Sequence, residues 1–232
     1  MSAVLLVDEL SFEVRRSSRR RTMELIVDRG GELVIVAPTD TNEGSMAAFV
    51  RAKKFWLYRK LAEKEARQQP RSGKEFVSGE GFPYLGRSYR LLLVEDQAAP
   101  LKLANGRFLL QAERADQGRE TFIRWYSGRA RPWLRKRIRG WASRVGVEPQ
   151  GIEIRDLGYR WGSCGKAGTL NFHWAAILLP PSVIDYVIVH ELSHLIESNH
   201  TPHFWQQVGR VLPDYEQRKT WLGEKGGAYV IL

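Results

Sequence analysis

Four of the chain's five histidines, His190, His194, His200 and His203, fall within fourteen residues, and two of them sit in a strongly apolar run. The run is Asp185-Tyr186-Val187-Ile188-Val189-His190-Glu191-Leu192-Ser193-His194-Leu195-Ile196-Glu197. Pro180-Pro181 precedes it, and Ser182 with Asp185 three residues on makes a start like a capping box. The pattern predicts a buried helix that runs to Glu197. Asn199 is then expected to supply a left-handed turn, and a second helix to begin at Thr201-Pro202. Two imidazoles and a carboxylate inside such a helix are costly to bury without partners. Residues i and i+4 share a helix face, so His190 and His194 converge on one point, where a metal ion satisfies both rings.

The motif is H-E-x-x-H. Glu191 follows the first ligand and lies beside the metal, where its carboxylate can take a proton from water. The metal lowers the pKa of water and polarises a carbonyl. A third ligand is at hand in His200, six residues after His194. That is the metzincin spacing, but the glycine of that pattern is Glu197 here and no methionine lies downstream. His203 competes with His200, and Glu216 and Glu224 are outer candidates. Three imidazoles suit zinc and would also accept nickel or cobalt. The single cysteine, Cys164, excludes an internal disulfide and a cysteine-based zinc cluster, and is expected to pack rather than coordinate. Tyr159, Asn171, His173, His203 and Tyr215 are unranked candidates for a transition-state donor.

Charge divides the chain unevenly. Residues 1–150 hold 29 Lys/Arg against 18 Asp/Glu, and residues 151–232 hold 7 against 8. A soft boundary near residue 150 is therefore expected, with a basic N-terminal region of strands and helices before it and the metal-binding catalytic domain after it. Such a field attracts nucleic acid or a phosphorylated ligand without identifying one. Residues 10–38 alternate like strands, with a hairpin turn at Arg29-Gly30-Gly31. Five arginines between Arg15 and Arg21 either contact phosphates or keep an edge strand soluble. Residues 43–68 look helical, with Pro70 and Gly73 at the exit. Strands return over 74–112, with turns at Gly86 and Asn105-Gly106.

A second basic helix is expected over 119–146. Phe122, Tyr126, Ala130, Leu134, Ile138, Trp141 and Val145 form its apolar stripe, and Arg124, Arg131, Arg135 and Arg139 its opposite face. Pro132 predicts a kink or break. Short strands follow at 152–157 and 169–174, around a glycine-rich loop at 162–168. The start of the chain lacks the pattern of a secretory signal, and no stretch approaches a membrane span. The sequence is expected to be soluble and cytoplasmic, of α+β class.

Arg160-Trp161-Gly162-Ser163-Cys164, Asn171, Trp174, Val189-His190-Glu191-Leu192-Ser193-His194, Asn199-His200-Thr201-Pro202 and Phe204-Trp205 resemble the YgjP-like metallopeptidases, a group related to the WLM and SprT-like zinc peptidases. Arg19-Arg20-Arg21, Ala37-Pro38 and Tyr84-Leu85-Gly86 fit the same pattern. The resemblance implies a zincin-like C-terminal domain with zinc held by His190, His194 and His200 and with Glu191 catalytic. His203 falls where the family motif varies. His173 departs from the pattern, and is expected at the surface or behind the ligands.

In zincins generally a strand upstream of the motif helix forms the edge that binds peptides, and Thr169–Trp174 is placed to be that strand. The leading expectation is thus a zinc peptidase acting on a protein or peptide. The alternatives are a metal-dependent phosphate-ester or nucleotide hydrolase, and a basic nucleic-acid-binding protein with a structural metal.

Overall fold

The computed structural model describes residues 3–27, 33–65, 73–158, 160–165, 167–230 and 232. Among them are six α-helices and three sheets, a mixed α and β architecture. The chain divides into two compact units, Met1–Arg71 and Ser72–Leu232. No helix of the described residues is long and apolar enough to cross a membrane.

The first unit opens with β1 (Ala3–Val7), β2 (Leu10–Ser17), β3 (Glu24–Val27) and β4 (Leu33–Pro38). They form one sheet in the order β1-β2-β4-β3. The outer pairs are antiparallel, and β2 runs parallel to β4. Alternate residues Phe12, Val14, Ile35 and Ala37 point into a core closed by Met46, Val50 and Leu57. The hairpin expected at Arg29-Gly30-Gly31 and the exit at Pro70 lie outside the described residues.

Two expectations for this unit are refined. The strand bearing Arg15 and Arg16 lies between β1 and β4, but among the described residues β1 reaches only to Val14, so the two arginines have β4 alone as a strand neighbour. Arg15 pairs with Glu13, Arg16 donates to the carbonyls of Thr39 and Thr41, and Arg20 pairs with Glu24. The helical stretch at 43–68 is two helices, α1 (Glu43–Ala52) and α2 (Lys54–Glu65), divided at Lys53. Asn42 caps the first by accepting a hydrogen bond from the Ser45 amide at 2.8 Å.

The second unit begins with β5 (Gly81–Tyr84), β6 (Arg87–Val94), β7 (Leu101–Ala104) and β8 (Arg107–Gln111), in the order β5-β6-β8-β7. The turns at Gly86 and Asn105-Gly106 adopt positive φ, as their sequence demands. The helix α3 (Gly118–Val145) then runs 28 residues, continuous through Pro132. Its stripe of Phe122, Tyr126, Ala130, Leu134 and Ile138 is fully buried. Phe122 stacks on Phe82 at 4.1 Å between ring centroids, which fixes the helix to the sheet.

After Gly146, a left-handed cap, come β9 (Gly151–Arg155), β10 (Gly162–Cys164) and β11 (Thr169–His173). These form a small sheet in the order β10-β11-β9, with β11 parallel to β9 and antiparallel to β10. The strand expected at the edge, β11, is therefore central, and β10 is the edge beside it. Residue 150 falls inside this unit, because Val145, Ile152 and Ile154 on either side of it share one apolar cluster.

The helices α4 (Pro181–Ser193), α5 (Pro202–Val211) and α6 (Tyr215–Lys225) complete the unit. The first of these is anchored to α3 by Arg137, whose guanidinium grips both oxygens of the buried Asp185.

Candidate metal centre

Val183, Ile184, Val187, Ile188, Val189 and Leu192 bury α4 on nearly every side. One gap in that apolar surface carries Tyr186, His190, Glu191 and His194, and it opens on a cleft of about 1150 Å³. The helix ends at Ser193, one turn earlier than Glu197. The amides of Leu195 and Ile196 donate to carbonyls three residues back, at 3.0 and 3.1 Å. This tightened turn does the work expected of Asn199, which is not among the non-glycine residues of positive φ. Thr201 then caps α5, accepting from the Phe204 amide, and Pro202 occupies its first turn, as expected.

The turn swings His200 back over the helix. Nitrogens of His190, His194 and His200 all lie within 4.8 Å of one another, and Nε2 of His200 is 3.0 Å from Nε2 of His190. The ring of Phe204 packs against all three imidazoles, with centroids 4.6 to 5.0 Å away. Trp205 stacks on His200 and is itself stacked on Tyr215. Adjacent Phe-Trp on α5 thus forms the aromatic wall of the cluster.

Protonation favours a lone-pair cluster. Burial, the neighbouring His194 and His200, and the Lys219 ammonium bring His190 down to about 3. Burial, then His194 and Lys219, lower His200 as well. His194 faces the Glu197 carbonyl through Nδ1 at 3.0 Å, a contact that places its proton there and leaves Nε2 as an electron-pair donor. Nε2 of His190 and Nε2 of His200 face each other, and one cation among the three rings would take a lone pair from each. The donor set therefore fits a divalent metal.

Glu191 stands beside the cluster, 5% exposed. Burial pushes its carboxyl up to about 8 against the opposing pull of the Arg160 guanidinium. Tyr186, one helical turn before His190, lines the same cleft, and burial pushes its phenol up to about 12. Arg160, Gly162 and Cys164 form the facing wall. Burial, with the charge of Glu191, raises the Cys164 thiol, which stays outside the histidine group.

The other candidates lie elsewhere. His203 is exposed on α5, Glu216 accepts a bond from Tyr215, and Glu224 is exposed; none joins the group. His173 is neither at the surface nor in the cleft. It is 2% exposed, its Nδ1 accepts from the Ala175 amide, and it caps the short 3-10 turn Trp174–Leu178. Asn171 donates to Ser163, and Tyr159 lies outside the described residues. Sequence reasoning passed over Tyr186, gave Arg160 no role beyond the family motif, and placed Gly162 only at the start of a glycine-rich loop. The i−4 spacing of Tyr186 from His190 was the available signal.

A family model described as a YgjP-like metallopeptidase domain matches residues 21–225. Among solved structures, the metallopeptidase zymogen abylysin of Pyrococcus abyssi is similar at 24% identity, over 38% of this chain and 89% of that one, with a TM-score of 0.35. No curated protein matches.

Proposed function

The chain belongs to the YgjP-like metallopeptidase family, and on that premise we propose that it is a zinc-dependent peptidase, with the ion held by His190, His194 and His200. The observation that carries this reading is three imidazoles meeting beside a buried carboxylate at the wall of an open cleft. A bound zinc supplies Lewis acidity, which polarises a carbonyl and lets water ionise near neutral pH.

Glu191 takes the proton from the attacking water. Its carboxylate is buried beside the histidine cluster and lines the cleft, so it can take a proton there and hand it on. The water oxygen bonds to the carbonyl carbon, the proton passes by way of Glu191 to the amide nitrogen, and the C–N bond breaks. The zincin-like character of residues 151–232 belongs to the same proposal.

The substrate is proposed to add to β10 rather than β11. The Trp161 carbonyl accepts from the His173 amide, and the Gly165 amide donates to the Thr169 carbonyl. Alternation then turns the amides and carbonyls of Gly162 and Cys164 away from β11, free to pair with an extended chain. Hydrolysis of an unfolded protein by the full chain tests this. It is expected to need zinc, to stop with a chelator and to vanish in Glu191→Gln. Zinc-dependent phosphate release from nucleotides, with no proteolysis, would favour the phosphate-ester reading instead.

A polyanionic partner is a second proposal. Residues 121–147, nearly all of α3, contain eight Lys/Arg and no acid. Arg124, Arg131, Arg135 and Arg139 lie along its exposed face. Binding of a nucleic acid there should weaken steeply with salt and lose about one counter-ion of slope per arginine removed. A flat salt response would remove the partner.

A further inference from the structure

We infer that Gly162 is a positioning residue for the proposed reaction: its missing side chain is the seat in which the Glu191 carboxylate lies. The inference rests on the reading of Glu191 as proton carrier. A Cβ built on Gly162 would stand 2.7 Å from Oε1, 2.8 Å from Cγ and 3.0 Å from Cδ of Glu191. The overlap covers the whole outer half of the side chain, so moving the carboxylate tip alone does not relieve it. Glu191 itself has little freedom to yield. It is 5% exposed, and its backbone lies in α4 between the two histidines of the motif.

Space, not conformation, is what the position requires. Gly162 is not among the glycines of positive φ, so its backbone is open to any residue. It lies in regular register on β10 opposite Phe172, in the edge strand, and lines the cleft. One residue therefore sets the base against the strand that receives substrate. Gly151, on β9 of the same sheet, is a useful contrast. A Cβ there meets only Thr169, at 3.7 Å, an ordinary contact.

Two double-substitution cycles test the inference on the full chain. In zinc-loaded protein, Gly162→Ala should lower kcat by about 100-fold, within the range of a proton-transfer residue, with KM changed less than about threefold. Added to Glu191→Gln it should cost nothing further, and Gly151→Ala should leave kcat unchanged. Losses that multiply in the double variant, or a loss confined to KM, would overturn the inference, because the effect would then run through the strand.

The second cycle reads Tm of the metal-free chain and needs no turnover. Gly162→Ala should lower Tm by about 3 °C or more, and the loss should disappear once Glu191→Ala removes the overlapping side chain. If Gly162→Ala alone fails to fold, Gly162→Ala/Glu191→Ala should recover the folded chain. A loss that persists in the Glu191→Ala background overturns the packing claim. A wild-type chain without hydrolysis overturns the peptidase reading and leaves the Tm cycle to decide the packing.

Discussion

The sheet of the first unit runs β1-β2-β4-β3, and that of the second runs β5-β6-β8-β7. Each is two antiparallel strand pairs joined by parallel pairing of their second strands, and in each a helix comes after the fourth strand. The sequences show no repeat, so the shared plan lies in pairing alone. The helices beyond the two sheets differ. In the first unit the helix divides after ten residues, and its described core ends with α2. In the second, a helix of 28 residues stacks Phe122 on the sheet and pairs Arg137 with Asp185 of α4. The helix that carries His190 is anchored to that long span. A sheet plan of this kind carries no chemistry by itself; the site comes from what the adjoining helix can anchor.

The largest expected difference is chemical. Glu191→Gln should lower turnover by about 1000-fold while metal content stays at about one ion per chain. Glu24→Gln, which breaks the exposed pair with Arg20 in the first unit, should leave turnover within about twofold of wild type. Equal losses in a peptidase assay would break the assignment of chemistry to one unit.

Next come the two cores. Phe12→Ala and Phe122→Ala each remove a fully buried ring, and each should cost about 3–5 kcal/mol in denaturant unfolding. Only Phe122→Ala should also weaken metal binding, measured by chelator competition. Metal loss in both would tie the site to the first unit as well.

The anchor between α3 and α4 ranks third. Arg137→Ala strands the carboxylate of Asp185, which is 4% exposed. A cost of about 2 kcal/mol is expected, reduced from the fully buried case because the Arg137 side chain is itself 42% exposed. Recovery in Arg137→Ala/Asp185→Asn, read by thermal unfolding, would assign that cost to the unpaired charge.

The smallest effects belong to the caps. Asn42→Ala and Thr201→Ala should each cost about 1 kcal/mol. Thr201 adjoins His200, so its loss should also weaken metal binding, whereas Asn42→Ala should not. Equal metal affinity in the two variants would mean that the cap does not set the third histidine.

Local patterns were legible in the sequence and non-local pairings were not. The α3 stripe, the turn at Asn105-Gly106 and the Thr201-Pro202 start depend on residues within a few positions of each other. Convergence of His190 with His194 follows from helix spacing alone. The edge strand was misplaced because β10 has only three residues, and its partners are fixed by register rather than composition. The change of charge near residue 150 reports surface, and the units divide at residue 71 because packing does. His173 could not be read as a buried cap, since its contacts with Ala175 and Asp156 depend on how β11 ends. The seat at Gly162 requires knowing that a strand passes within contact of a helix residue 29 positions later.

Anomalous diffraction at the zinc edge, from crystals of the full chain grown with zinc, is the sharpest check on the proposed metal centre. One strong peak is expected, enclosed by the rings of His190, His194 and His200, with Glu191 beside it but not bound. A peak elsewhere, or an ion closed off by a fourth protein ligand, would contradict the proposal.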